Sequence, residues 1–227
     1  MKKLFLSLLS LGLFFYILIV EVPHEFIKNQ YYGINVLNEN GSLNIVSAIV
    51  LDYRFYDTFF EILVFTVTII GISYFMKFFG KSEYEFSEPS VVLKVFSPVM
   101  FPITLLLGFY NTFTGHLYPG GGFNSGIILG TGVLSLALVK KYEDIEEVFE
   151  KSHIEEIKVL VPLFIIIYAV IGKIFFGEYF INFFPKFEPG SLFSGGSAIM
   201  LNSFIAFEVF GGSWTILYQF IKHRGLL

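Results

Sequence analysis

Apolar residues run through this chain in long blocks separated by short polar breaks. A membrane-crossing helix needs about 20 mostly apolar residues, because an α-helix rises 1.5 Å per residue. Six blocks approach that length: Leu4–Val20, Phe59–Phe79, Val91–Phe113, Phe123–Val139, Ile157–Phe176 and Gly195–Ile221. The pattern predicts an all-α, polytopic membrane protein with about six transmembrane helices. Lys2 and Lys3 precede the first block, so a signal peptide is its other reading. Its length of about 17 residues exceeds the usual signal core, and no small-x-small cleavage site follows.

The polar breaks carry the organisation. Gly115 to Phe123 reads GHLYPGGGF, and three glycines after a proline do not form regular helix. Irregular backbone beside lipid persists only where protein or water satisfies its polar groups. This break is therefore a packing device or a functional loop, with Pro119, Gly120, Gly121 and Gly122 at its centre. Gly80–Ser90 is polar and reads as a linker, placing a module boundary near residue 85. Tyr142–Ile157 carries Glu146, Glu147, Glu150 and His153 at helical spacings and predicts a short interfacial helix. Glu21–Arg54 is a long polar segment with turn signals at Gly33 and Asn40-Gly41.

Composition agrees with a membrane setting. The 227 residues are 55% hydrophobic and 15% charged, against about 45–50% and 25% in soluble domains. Cysteine is absent, which excludes disulfides, iron–sulfur clusters and thiolate zinc sites. No metal site and no cofactor is expected. The net charge of -4 argues against nucleic acid as a partner. With the N-terminus inside, only Lys28, Arg54, Lys173 and Lys186 of the 15 basic residues fall outside. Positive charge collects on the cytoplasmic side, so both termini are expected in the cytoplasm of a multi-pass cell-membrane protein.

GHLYPGGGF, followed by the glycine-interrupted NSGIILGTGVLSLAL, resembles the MnhB/MrpB family of small subunits of the Mrp sodium/proton antiporters. Gly115, His116, Pro119, Gly120, Gly121, Gly122, Phe123 and Gly126 fit the family pattern, and Leu117 replaces its usual asparagine. NSFIAFEVFGGSW resembles the last helix of that family, with Glu208 in place of an aspartate. Upstream, NIVSAIVLDYRFYDTFFE (Asn44 to Glu61) is similar to the C-terminal segment of the large MrpA subunit, a separate small subunit in archaeal membrane-bound hydrogenases. Tyr56 stands where that segment usually has glycine. The resemblance implies two modules: residues 1–85, two helices of MrpA type, and 86–227, four helices of MnhB type. It also implies other Mrp-like membrane subunits as partners, with sodium ions and protons as the transported species.

Several residues then invite chemistry. Glu208 lies midway along the sixth run, where a carboxylate costs at least about 2.5–3.5 kcal/mol. It is either a station on a proton or sodium route or a buried structural hydrogen bond, with Asn202 or Ser203 as partner. Glu61 opens the second run three residues after Thr58, at capping-box spacing. Asp57 or Thr58 is the expected cap, the run from Asp52 through Arg54 to Asp57 adds an Asp–Arg pair, and interface contacts or ion access are the other reading of Glu61. His116 is a hydrogen-bonding loop residue or a proton shuttle. Lys173 snorkels to the interface or serves as a counter-charge; a direct pair with Glu208 is not expected, because their depths differ by over ~10 Å. Gly126, Gly130 and Gly132 mark close helix packing, and Pro98 and Pro102 kink the third run.

Three function classes follow: a non-catalytic subunit of an Mrp-like cation/proton module within an archaeal respiratory complex, contributing to the ion pathway; a purely structural scaffold or a subunit of a free-standing Mrp antiporter; and, least supported, a stand-alone carrier. No internal repeat supports the carrier, and no catalytic constellation supports an enzyme.

Overall fold

The structure, a computed structural model, describes residues 35–80 and 88–223. The predicted first span, Leu4–Val20, and the boundary near residue 85 lie outside the described residues.

Residues 35–39 form one helical turn. There follow α1 (Ile45–Ala48), a π-helical turn (Ile49–Tyr53), α2 (Phe55–Met76), α3 (Val91–Thr114), α4 (Gly122–Ala137), α5 (Tyr142–Lys151), α6 (Ile154–Phe176) and α7 (Ala198–Lys222). Among the described residues there is no β-strand. Among the described residues four helices, α2, α3, α6 and α7, are long and apolar enough to cross a membrane. α4 is apolar but has 16 residues, about 24 Å at the helical rise, short of a ~30 Å hydrocarbon core. The preceding glycine loop cannot extend it.

α7 is the hub. Its 25 residues pack against α2, α3, α4 and α6. α2 runs parallel to it: Thr66 meets Glu208, and His223 Nδ1 lies 2.7 Å from Gly80 O at the far end. α6 runs the opposite way, placing Phe164 beside Phe204 and Lys158 beside Thr215. α4 runs parallel to α7 and touches it through glycine. A Cβ at Gly122 would lie 2.6 Å from Ile205 Cβ, one at Gly126 2.5 Å from Val209 Cβ, and one at Gly130 3.0 Å from Ser213 Cβ. Gly132 faces away, toward Thr104 and Phe101 of α3. The expected small-residue packing is thus divided between two neighbours. Gly212 of α7 similarly admits Ile69 and Phe65 of α2.

α5 differs from the predicted continuous helix over Tyr142–Ile157. Glu143 and Asp144 sit in its first turn and Lys151 in its last, as the helix dipole favours. It buries Phe149, whose ring stands 5.3 Å from that of Trp214. The chain then breaks at His153, which takes φ 53°, and α6 begins at Ile154, earlier than the apolar run implied. Pro98 and Pro102 do lie inside α3. At the other end of α6, the Tyr168 hydroxyl donates to Ile181 O at 2.6 Å. Asn182 accepts from Ser197 N at 3.0 Å and donates to Gly195 O at 3.1 Å. These bonds fix the long connection into α7.

Candidate functional site

The glycine loop and α1 meet at one junction, and Asn44 makes it. Its side-chain oxygen caps α1 by accepting from Val46 N at 3.1 Å and Ser47 N at 3.4 Å. Its side-chain amide donates to Gly115 O at 2.8 Å and Tyr118 O at 3.0 Å. Its backbone N–H donates to His116 O at 2.9 Å. Gly121 has φ 135°, a conformation that glycine alone takes without strain. Gly122 opens α4, and its N–H donates to Asn202 Oδ1 at 2.9 Å. One of the unpaired amides of that helix start is therefore met by a side chain of α7. Pro119 is exposed at the loop tip.

A cavity of about 160 Å³ opens beside this junction, lined by Ser47, Thr58, Glu61, Gly120 and Asn202 among others. Ser47 Oγ and Asn202 Nδ2 are buried and have no hydrogen-bond partner among the described residues. The walls are largely apolar, but a space of this size beside these polar groups accommodates water.

The capping expectation changes. α2 begins at Phe55, after a π-helical turn closed by Arg54 N donating to Ile49 O at 2.8 Å. Asp57 and Thr58 therefore lie inside the first turn of α2, and neither caps it. Thr58 Oγ1 donates back to Val50 O at 2.5 Å, which pins the π turn to the helix. The Asp–Arg pair is Arg54 with Asp57, on the surface, where such pairs contribute little. Asp52 instead accepts from Asn40 Nδ2 at 2.6 Å. Burial pushes the Asp52 carboxyl above the usual range, opposed by the Asn40 bond and by the charge of Lys186. Glu61 is exposed on the second turn of α2, at the cavity.

His116 is fully buried, and neither ring nitrogen has a partner among the described residues. Ser191 and Leu192 backbone lies nearby without closing a hydrogen bond. Burial holds the imidazole below its ordinary value, which those backbone groups oppose. The hydrogen bonding expected of this residue comes from its carbonyl. Its ring fills the space that Gly195 leaves, where a Cβ would lie 2.9 Å from His116 Cδ2.

Glu208 is 1% exposed. Its partner is Thr66 of α2, which donates to Oε1; it is neither Asn202 nor Ser203. Asn202 is engaged by Gly122, and Ser203 Oγ donates to Ile199 O at 2.8 Å within its own helix. Glu208 Oε2 has no partner among the described residues. Lys173, in the last turn of α6, donates to Gly177 O at 2.8 Å and stands 5.3 Å from the Tyr179 ring centre. It is exposed and stays apart from Glu208.

Sequence reasoning missed Lys158. It counts as an end-of-helix cation by position, yet it is 2% exposed. Its ammonium pairs with Glu155 Oε2 at 2.6 Å and donates to Thr215 Oγ1. Trp214 Nε1 donates to Glu146 Oε2 at 2.7 Å nearby. Burial pushes the Glu146 carboxyl up, against the pull of the Trp214 bond. The available signal was helical spacing, since Glu155 and Lys158 are three residues apart.

Residues 92–215 match the family described as "Domain related to MnhB subunit of Na+/H+ antiporter". A Staphylococcus haemolyticus protein named as antiporter subunit mnhB2 is 35% identical over 95 residues, 41% of this chain. The chain spans 65% of that relative's length. A chain from the membrane-bound sulfane sulfur reductase, an archaeal respiratory membrane complex, superposes with TM-score 0.71 and 27% identity. That match covers 99% of this chain and 100% of the other. A chain of the Mrp complex from Dietzia sp. DQ12-45-1b shares the fold, with TM-score 0.67 and 18% identity, over 90% of this chain and 23% of that one.

Proposed function

Since the chain belongs to the family of domains related to the MnhB subunit of Na+/H+ antiporters, we propose that it serves its Mrp-like module as a non-catalytic subunit with Glu208 as an ion station. The observation that carries this reading is the carboxylate itself. It is buried halfway along the hub helix, with one oxygen held by Thr66 and the other without a partner. A carboxylate at such depth is costly, and a free oxygen there suits transient capture of a proton or a sodium ion. Glu61 and its cavity form the second station.

The parent assembly is an archaeal respiratory complex. The end-to-end likeness to a chain of one supports this over a free-standing antiporter. Partners are the neighbouring Mrp-like membrane subunits, and the moving species are sodium ions and protons. Six crossings with both termini in the cytoplasm, the short α4 crossing where the bilayer thins around it, accord with the distribution of basic residues. The two-module division near residue 85 accords with a family match confined to residues 92–215.

A scaffold role is the second reading, favoured by the Thr66–Glu208 bond, which clamps α2 to α7. Glu208→Gln in the assembled complex separates the two. It keeps an acceptor for Thr66 but cannot ionise. On the pathway reading, sodium-coupled proton transport in proteoliposomes falls at least about tenfold, the scale of losing about 1.4 kcal/mol or more, while the subunits still copurify. Unchanged transport would leave only the scaffold.

A further inference from the structure

Among the described residues, Lys158 is the buried lysine packed against Glu208's helix, and the pathway reading does not use it. Its stem lies along Gly211 of α7, where a Cβ would stand 3.0 Å from Lys158 Cδ and 3.4 Å from its Cβ. Any larger residue at 211 would displace it. Glu208, Gly211 and Thr215 are spaced three and four residues apart, so they share one face of α7. Lys158 therefore enters that face between the two polar groups. Glu208 lies one turn from Gly211 on one side, roughly 4.5 Å by rise, and Thr215 lies one turn away on the other.

The ammonium is turned toward Thr215 and Glu155. Its third bond, to Gly211 O, is long at 3.4 Å. Glu155 is 30% exposed at its side chain, so that end of the cluster reaches water. At the opposite end, Glu208 Oε2 is buried without a partner. No side chain projects from Gly211 or Gly212 between them. The charged neighbours of Lys158 are Glu155 and Glu156 of its own helix and Glu146 of α5. α2 meets Glu208 with the hydroxyl of Thr66, and α4 presents glycines to this part of α7.

We propose that Lys158 is a positioning residue with two resting places, paired with Glu155 in one and turned along Gly211 to neutralise ionised Glu208 in the other. A lysine suits this work: its ammonium is a compact charge on a flexible four-carbon stem. Glu208 binds its proton while Lys158 is held by Glu155, and releases it when Lys158 swings across. The swing moves no proton to or from Lys158 itself. Glu155 and Glu208 thereby compete for one buried cation, and access from the α5 end is tied to the charge state of Glu208. This rests on Glu208 being an ion station.

The test is infrared titration of the copurified complex, following the protonated-carboxyl band that Glu208→Gln abolishes. Lys158→Met should make that band persist to higher pH, by at least about one pH unit, a tenfold change in proton concentration. Glu155→Gln, which frees the cation, should shift its loss to lower pH. Opposite displacements are not the signature of general loosening. If Lys158→Met fails to assemble, the Glu155→Gln displacement alone decides. No displacement, or one of the wrong sign, overturns the proposal. Loss of transport in Glu208→Gln without either displacement would remove the Lys158 role and keep the ion station. Both displacements with normal transport in Glu208→Gln would do the reverse.

Discussion

Glu146 shows how a single group couples this fold to pH. Its carboxyl accepts from Trp214 at the inner edge of α5, and burial raises its proton affinity in the folded protein. A carboxyl raised in this way contributes its stability fully below the ordinary glutamate range. That contribution is lost as pH climbs through the higher folded value. Glu146→Gln keeps an acceptor for Trp214 and removes the ionisation. It should therefore raise the melting temperature near pH 7.5 by roughly 2–4 °C, the scale of 1 kcal/mol in a chain of this size, and give no gain near pH 4. Trp214 is the single tryptophan, so its fluorescence reports the transition directly. Equal melting at pH 7.5 would show that burial there is harmless.

Legibility in the sequence also divides by residue. Glu208 stands out because a lone carboxylate interrupts an apolar run. Lys158 does not, because a lysine near a run's end looks the same whether it snorkels or turns inward. His116 was legible as a loop residue, but its complete burial comes from the connection after α6, which no local pattern encodes. Asn202 was expected to bond Glu208 in its own helix, whereas its actual bond to Gly122 spans 80 residues of sequence.

Helices were more legible than single contacts. The apolar runs located α2, α3, α4, α6 and α7 to within a few residues, since burial in lipid demands long uninterrupted apolar stretches. The starts of α2 and α6 were missed for a shared reason. Polar residues sit in the first turn of both helices, Asp57 and Thr58 in α2 and Glu155 and Glu156 in α6, so the continuous apolar pattern begins after the backbone has already become helical. Glycine spacing on α4 was read correctly as packing, and the structure makes it testable. Gly126→Val would drive a branched side chain into Val209 and Ala206, at the upper end of the about 1–3 kcal/mol typical of overpacking, or beyond. The purified complex should lose this subunit or melt markedly earlier. Gly71→Ala is the matched control: nothing lies within 4 Å of its Cβ position, and alanine favours helix by up to about 1 kcal/mol. If both variants behave alike in a thermal-melt comparison, α4 and α7 are not in close contact.

Taken as a whole molecule, the chain carries no cysteine, so its topology can be probed with single introduced thiols. Lys151→Cys, in α5, and Lys186→Cys, in the connection before α7, are separated by one span, α6. A membrane-impermeant maleimide added to intact cells should label position 186 and reach position 151 only after permeabilisation. Labelling of both from outside would refute the crossing of α6, and the reversed pattern would invert the orientation.

The central position of α7 has a consequence for biosynthesis. Every other long helix among the described residues packs on it, yet it follows them all in the chain. About 85 residues separate the end of α4 from the end of α7, so at about 5–20 residues per second the glycine face of α4 waits some 4–17 s for its partner. During that interval the nascent chain sits in the bilayer with an open small-residue groove. Cover for that groove, by lipid or by another subunit, is needed most then.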